Sequence, residues 1–241
     1  MREALESGRA IDHISIARGR HGERLEELVR RARQRGVPVR FEDRAQVDRL
    51  AGTSQHQGVV AFVAAKKMLG LEDLLAGASA ADAGKGLLVL LDGVEDPHNL
   101  GAIVRTALAA GADGVVIPER RAAPLTEAVE RASAGALAHL PVARVTNLVR
   151  AMEKLKEVGY WLVGLDERAA KGYTEVDFTQ PTAVVLGGEG KGLHELTRKR
   201  CEFLVSIPTT GPVRSLNVSV AAGIVLFEAV RQRSRESQKR L

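Results

Sequence analysis

From residue 87 onward, two patterns of apolar residues alternate along the chain. Continuous apolar runs, such as residues 87–91 and 183–186, are separated by stretches in which apolar residues recur every three or four positions. Continuous apolar runs are expected where both faces of a parallel sheet are covered. The pattern predicts an α/β fold with a parallel sheet that binds ligands at the carboxyl ends of its strands. The predicted strands are 87–91, 114–117, 160–165, 183–186 and 203–207, and the predicted helices are 99–110, 124–134, 147–158, 193–200 and 217–233.

The first 66 residues predict a separate, smaller α/β unit. Short extended segments at 13–17, 37–41 and 58–63 are separated by a helical pattern at 22–35, which ends before Gly36, and by a short helix that follows Asp43. Residues 77–86 are small and flexible in composition, which is typical of a linker. We therefore expect an N-terminal domain over residues 1–66 and a linker over 67–86 that includes a helix-like turn at 71–75. The second domain is then expected over residues 87–241.

The net charge of +5 is concentrated at the two ends of the chain. Residues 1–66 hold 13 Lys and Arg against 9 Asp and Glu, and residues 231–241 hold 5 against 1. Basic ends favour a polyanionic partner such as a nucleic acid, although a solvated face and a frayed C-terminus would give the same balance. Eight aromatic rings are too few for an RNA platform built on serial base stacking.

The cysteine content and the hydropathy of the chain exclude disulfide-rich proteins, cysteine-based metal sites and membrane-spanning proteins. The one cysteine, Cys201, excludes an internal disulfide framework and a cysteine-rich metal site. No apolar run approaches the roughly 20 residues that a transmembrane helix needs, and the N-terminus is too charged for a signal peptide. We expect a cytoplasmic protein without a membrane anchor.

The loops at the strand ends do not match the common nucleotide-binding motifs. The loop after residues 87–91 lacks the G-x-G-x-x-G of dinucleotide-binding folds, which argues against an oxidoreductase. The loop at 187–192 has a glycine, not Ser or Thr, after Lys191, and Glu189 would repel a phosphate. Its glycines instead favour a loop whose backbone contacts an uncharged or cationic ligand.

Two further polar features have a structural and a functional interpretation. The loop at 207–217 ends on Ser215 and Asn217, which either only cap the following helix or also line a site. Arg105 lies in a helix of mostly small and apolar residues that Asn99 is expected to cap. Arg105 either extends to solvent or holds a phosphate in its planar fork.

Three segments in order carry a specific resemblance. They are DGVEDPHNLGAIVRTA at 92–107, LGGEGKGL at 186–193, and the stretch from IP at 207 to SLNVSVAAGIVLFEA at 215–229. Together they resemble the three motifs of the SpoU/TrmH family, the RNA ribose 2′-O-methyltransferases of the SPOUT superfamily, over about residues 87–233. The segment before them is similar to the RNA substrate-binding domain of the branch that methylates guanosine in 23S ribosomal RNA. Members usually have a short strand and a turn before the stretch that matches residues 2–5, so we expect the chain to lack a few residues there.

The resemblance implies an enzyme and a cofactor. The expected reaction transfers a methyl group from S-adenosylmethionine to a ribose 2′-hydroxyl, without a metal, in a domain that contains a deep trefoil knot. Gly187, Ile207 and Leu216 are expected to hold the cofactor chiefly through the backbone. Leu186, Gly190 and Pro208 are expected to lie near it.

The resemblance also implies catalytic roles and a homodimer. Arg105 corresponds to the arginine proposed to activate the 2′-hydroxyl, with Asn99 and Glu189 orienting it. Ser215 and Asn217 would position the arginine, the ribose or the knot backbone. The active site is expected to combine Arg105 of one chain with the cofactor of the other. The remaining alternatives are a tRNA methyltransferase, a resistance-type rRNA methylase and a non-catalytic RNA-binding factor.

Overall fold

A computed structural model of the chain describes residues 11–20, 22–51, 56–63, 68–81, 86–212 and 215–239. The chain divides into two compact units, Met1–Lys67 and Met68–Leu241. Both units combine helices with a sheet, so the predicted α/β class is confirmed. The expectation about the stretch preceding residues 2–5 lies outside the described residues. In the ranges given above, no helix is both long and apolar enough to cross a bilayer.

In its described residues, the N-terminal unit consists of a three-stranded sheet and two helices. Its central strand β1 pairs in parallel with β2 and antiparallel with β3. Ile14 and Ile16 of β1 are fully buried, as is Ala32 of α1, which forms the core of this small unit. The elements are β1 Ile11–Ala17, α1 Glu23–Gln34, β2 Val39–Glu42, α2 Arg44–Ala51 and β3 Val59–Val63.

The second unit is a seven-stranded, entirely parallel sheet with the order β6-β5-β4-β9-β7-β10-β8. All six residues of β4 are buried, because alternate side chains enter separate apolar cores on the two faces of the sheet. The strands are β4 Leu87–Asp92, β5 Gly114–Pro118, β6 Val142–Val145, β7 Trp161–Leu165, β8 Lys171–Gly172, β9 Thr182–Gly187 and β10 Phe203–Ser206. The helices are α3 Leu71–Ala81, α4 Pro97–Ala109, α5 Glu127–Ala132, α6 Ala136–His139, α7 Leu148–Glu157, α8 Glu195–Arg200 and α9 Val218–Lys239, with a 3₁₀ turn at Tyr173–Glu175.

The segment expected as a linker, residues 67–86, differs from that expectation. Most of it is helix α3, whose Leu71 and Leu74 are buried in the core on one face of the sheet. Leu69 also forms a bridge with Ala143. These apolar contacts outweigh the flexible composition of residues 77–86, so the structure moves the start of the second unit from residue 87 to Met68.

The strand β6 and the helical segment that follows residue 124 differ from the sequence pattern. The short strand β6 was not expected, because it has only four residues and one of them is the exposed Arg144. The predicted helix at 124–134 is α5, and a separate short α6 follows it after a turn at Gly135. The expected trefoil knot involves the 207–217 loop, of which residues 213 and 214 lie outside the described residues, and it stays a prediction.

Candidate active site

A cavity of about 690 Å³ lies at the carboxyl ends of β7, β9 and β10. Its walls are the two loops that the sequence singled out, which follow β9 and β10. Five of the six predicted cofactor residues line it: Leu186, Gly187, Gly190, Ile207 and Leu216. Pro208 is not among the lining residues, although it directly follows Ile207 and is exposed.

Glycine is required in the loop after β9 because the backbone folds closely on itself. A Cβ on Gly187 would lie 2.1 Å from the carbonyl carbon of Gly192, and one on Gly188 would lie 2.0 Å from the carbonyl oxygen of Gly93. Gly188 and Gly192 form an antiparallel bridge. Gly190 at the tip has φ +79°, a left-handed conformation that glycine adopts without strain. The loop therefore presents main-chain atoms to the cavity.

Asn99 joins the two loops by side-chain hydrogen bonds. Its Nδ2 donates to the carboxylate of Glu189, and its Oδ1 accepts from Nδ2 of Asn217 at 3.0 Å. Both partners line the cavity, whereas Asn99 is 8% exposed and lies behind them. The Oδ1 of Asn217 also accepts from the backbone amide of Ser219 at 2.9 Å, so Asn217 caps α9 as well.

Asn99 is available for this role because it does not cap α4. The structure corrects the prediction on this point: Asp96 is the N-cap residue and accepts from the amide of His98 at 2.9 Å, with Pro97 at the first helical position. Asn99 therefore lies in the first turn, where its side chain turns toward Glu189.

The other two predicted catalytic residues, Ser215 and Arg105, differ in their position relative to the cavity. Ser215 lines the cavity and is exposed. Arg105 is also exposed, but it does not line the cavity of its own chain. It lies on α4 six positions after Asn99, and it forms no hydrogen bond or ion pair with the described residues. Its guanidinium is therefore exposed to solvent in the single chain.

An ion pair in the cavity wall was missed by the sequence reasoning. Arg198 donates from Nε to Asp166 Oδ2 at 2.6 Å, and both residues line the cavity. Asp166 directly follows β7, and a polar residue at the carboxyl end of a predicted strand was the signal that would have identified it. The wall thus offers both a carboxylate and a guanidinium to a ligand.

A thiol nucleophile does not contribute to this site. Burial, together with the charges of Glu202 and Asp92, raises the pKa of Cys201 to about 12. The thiol therefore stays protonated at neutral pH, and only a thiolate would be reactive.

Two protein families match the chain. The SpoU rRNA Methylase family matches residues 86–227, and the family described as RNA 2′-O ribose methyltransferase substrate binding matches residues 1–69. The first match contains both cavity loops, the Asn99 contacts and Arg105.

Individual proteins and solved structures resemble the chain over most of its length. It is 45% identical to the 23S rRNA (guanosine-2′-O-)-methyltransferase RlmB of Xanthomonas campestris pv. campestris, across 92% of this chain and 89% of that protein. The SpoU methyltransferase AviRb of Streptomyces viridochromogenes, solved with AdoMet, has a TM-score of 0.77 and 30% identity over 96% of this chain and 87% of its own. The TrmH/SpoU tRNA modifying enzyme of A. aeolicus has a TM-score of 0.60 and 32% identity over 69% of this chain and 84% of its own.

Proposed function

The chain belongs to the SpoU rRNA methylase family, and on that premise we propose that it transfers a methyl group from S-adenosylmethionine to the 2′-hydroxyl of a guanosine in 23S ribosomal RNA. The observation that carries this proposal is the cavity between the loops after β9 and β10, held together by Asn99. Because the proposed substrate is 23S ribosomal RNA, we also propose that the protein acts in the cytoplasm.

The cavity fits S-adenosylmethionine in size and chemistry. Its volume of about 690 Å³ falls in the range of roughly 300–1,000 Å³ typical of small-ligand sites. Leu216 and Ile207 offer apolar surface for an adenine ring, and main-chain groups around Gly187 and Gly190 offer hydrogen bonds. When bound, S-adenosylmethionine supplies an activated methyl group on a sulfonium, which needs no metal.

Arg105 acts in this proposal as a phosphate-binding group beside the reacting ribose. A guanidinium stays protonated at neutral pH and is therefore a poor base. It is well suited to a bidentate hold on an RNA phosphate, which would place the 2′-hydroxyl and favour loss of its proton. Asn99 and Arg105 both lie on α4. The hydrogen bonds of Asn99 fix the position of this helix relative to the loops after β9 and β10.

A second copy of the chain is proposed to complete the site. Arg105 does not line the cavity of its own chain, so a partner must bring an equivalent arginine to it. Large apolar side chains are exposed next to the cavity and along α9: Leu216 is 41% exposed, Val220 51% and Phe227 49%. Val220 and Phe227 are seven residues apart and so lie on the same face of the helix. A homodimer would cover this face and place Arg105 of one chain at the cofactor of the other.

The N-terminal unit is proposed to bind the RNA. Four arginines are exposed on or directly after α1: Arg24, Arg30, Arg33 and Arg35. Exposed arginines can contact the phosphate backbone without reading its sequence, although Arg30 also pairs with Glu27. Residues 1–69 match the substrate-binding family, which supports the assignment.

Mapping of ribose methylation tests the substrate. Mass spectrometry of total rRNA and tRNA, from cells with and without the gene, is expected to show the loss of one 2′-O-methylguanosine from 23S rRNA. The loss of a methyl group from tRNA alone would overturn the rRNA assignment in favour of the tRNA methyltransferase. Unchanged methylation in both RNAs, with RNA binding retained, would favour the non-catalytic factor.

A further inference from the structure

A second cavity, of about 420 Å³, lies at the carboxyl ends of β4 and β5. Its walls include Arg120 and Arg121, which follow β5, the start of α7 at Leu148, and His194, which precedes α8. None of the catalytic or cofactor residues discussed above lines it. His194 lies two residues after the loop 187–192 that lines the first cavity, and Glu195 lines both cavities, so the two cavities are neighbours.

A chain of hydrogen bonds fixes one of these arginines. Asp92, 7% exposed at the end of β4, accepts from the amide of His194 at 2.8 Å and contacts His194 Nδ1 at 2.9 Å. Nη1 of Arg121 lies 3.2 Å from His194 Nε2. An ionised carboxylate only accepts and a guanidinium only donates, so the imidazole carries its proton on Nδ1 and accepts at Nε2. Asp92 thus fixes His194, and His194 fixes Arg121.

The backbone of Arg121 is also held in an unusual conformation. Its φ is 59°, in the left-handed region that residues with a side chain rarely adopt. Such strain persists where the surrounding structure enforces it, often at binding sites. The conformation, the hydrogen bond and the cavity all concern the same exposed guanidinium.

We propose that Arg121, with Arg120, binds a backbone phosphate of the RNA substrate in this second cavity, and that Asp92 and His194 are the positioning residues for Arg121. This inference rests on the proposed function, because the phosphate belongs to the RNA that the enzyme would methylate. Within the part of the chain that the structure describes, Arg121 uses one of its five N–H donors, for His194, and the other four suit the bidentate hold that a phosphate favours.

The charges around the cavity favour a phosphate over a cation. Two acidic residues line it, and one of them, Glu195, forms an ion pair with Lys199 at 3.0 Å, which offsets its charge. The other, Asp92, is 7% exposed and accepts hydrogen bonds from His194, which leaves its negative charge in place. With Lys199 counted beside Arg120 and Arg121, three cationic side chains stand against two carboxylates, so the cavity has a net positive charge. A phosphate bound there would anchor the RNA beside the cofactor loop, next to the proposed methylation site.

The first test is the kinetics of Arg121→Ala in the full-length protein. We expect the KM for a transcript of the methylated 23S rRNA segment to rise about tenfold, the scale of one lost charge-assisted hydrogen bond. The KM for S-adenosylmethionine and kcat should stay unchanged. Arg131→Ala is the matched control, because Arg131 is exposed on α5 and lines neither cavity. A KM for RNA equal to that of the control variant would overturn the inference. If the wild-type protein methylates no RNA, the proposed function itself fails.

The second test asks whether His194 acts through Arg121. His194→Ala should raise the KM for RNA in the wild-type background and add nothing in the Arg121→Ala background, since the interaction is then already lost. Independent, multiplicative effects would refute the positioning role.

Phosphate replacement identifies the group that Arg121 contacts. Transcripts in which single phosphates near the target are replaced by neutral methylphosphonates should include one that weakens wild-type binding and leaves Arg121→Ala unaffected. If Arg121→Ala instead changes the preference between guanosine and inosine, with equal sensitivity to every methylphosphonate, the cavity reads a base and the phosphate assignment is wrong.

Discussion

Asn217 donates a hydrogen bond from Nδ2 to Oδ1 of Asn99 at 3.0 Å, although 118 residues separate them in the sequence. The remaining amide group of Asn99 donates to Glu189, so one buried side chain fixes the loop after β9 and the start of α9 relative to each other. Because the cofactor cavity lies between these two segments, its shape depends on Asn99.

Asn99→Asp should therefore weaken cofactor binding. The aspartate keeps the size of the side chain but removes both donors and places a carboxylate against Glu189 and Asp96, which repel it. We expect the affinity for S-adenosylmethionine, measured by calorimetry, to fall about tenfold or more. Asn147→Asp is the control. Asn147 is the N-cap residue of α7, and an aspartate is an equally good N-cap. Equal affinities of the two variants would show that the contacts of Asn99 do not shape the cavity.

Leu216→Arg should abolish cofactor binding and leave RNA binding intact. The substitution places a charge in the apolar part of the cavity that is proposed for the adenine, and a charge there is costly to desolvate. Calorimetry with S-adenosylmethionine and a filter-binding assay with rRNA separate the two effects. Val158→Arg, at a similarly exposed apolar position at the end of α7, is the control. Unchanged affinity in Leu216→Arg would place the cofactor elsewhere.

Arg105→Ala should give a folded protein that binds the cofactor and does not turn over. Arg105 is exposed, so its removal should change stability by less than about 0.5 kcal/mol. Methylation should fall by roughly two or more orders of magnitude, as for the loss of a charge-stabilising group. A similar defect in Arg105→Lys would favour the bidentate fork over charge alone. Near-normal turnover of Arg105→Ala would make Arg105 an ordinary surface residue.

Mixing two inactive variants tests the shared active site. A heterodimer of Arg105→Ala and Leu216→Arg contains one site with an intact cofactor cavity from one chain and an intact arginine from the other. We expect random subunit exchange to restore about a quarter of the wild-type activity, since half of the dimers would be mixed and each would have one good site. If no activity returns while mass spectrometry shows mixed dimers, each chain completes its own site.

Truncation should separate RNA selectivity from cofactor binding. Residues 68–241 should fold, bind S-adenosylmethionine and lose most of their selectivity for 23S rRNA, because the proposed RNA-binding unit ends at Lys67. A shorter chain of residues 87–241 lacks Leu71 and Leu74, and each buried leucine contributes about 1.5–3 kcal/mol. Its urea midpoint should be clearly lower than that of 68–241. Equal midpoints would show that α3 adds no stability, and full selectivity in 68–241 would make the N-terminal unit dispensable.

The pattern of apolar residues was enough to predict the parallel α/β class and most of its strands. Residues 87–91 and 183–186 are uniformly apolar, as expected of strands covered on both faces, and β4 and β9 are paired and buried in the sheet. The glycines of 187–192 likewise indicated a loop that presents its backbone, and the close approach of Gly187 to Gly192 explains why. These features are local, so a single stretch of sequence determines them.

What the sequence left open depends on contacts between residues far apart in the chain. Asn99 was expected to cap α4, and only the position of Glu189 shows that its side chain serves the cofactor loops instead. Residues 77–86 resembled a linker, and the sheet surface that buries Leu74 makes the segment before them part of the domain. The sequence did not predict a role for Arg121 or His194, because neither has a partner nearby in the chain. His194 contacts both Arg121 and Asp92, and Asp92 lies at the end of another strand. The sheet brings the ends of non-consecutive strands together, and that juxtaposition of loops decides which polar side chains become a site.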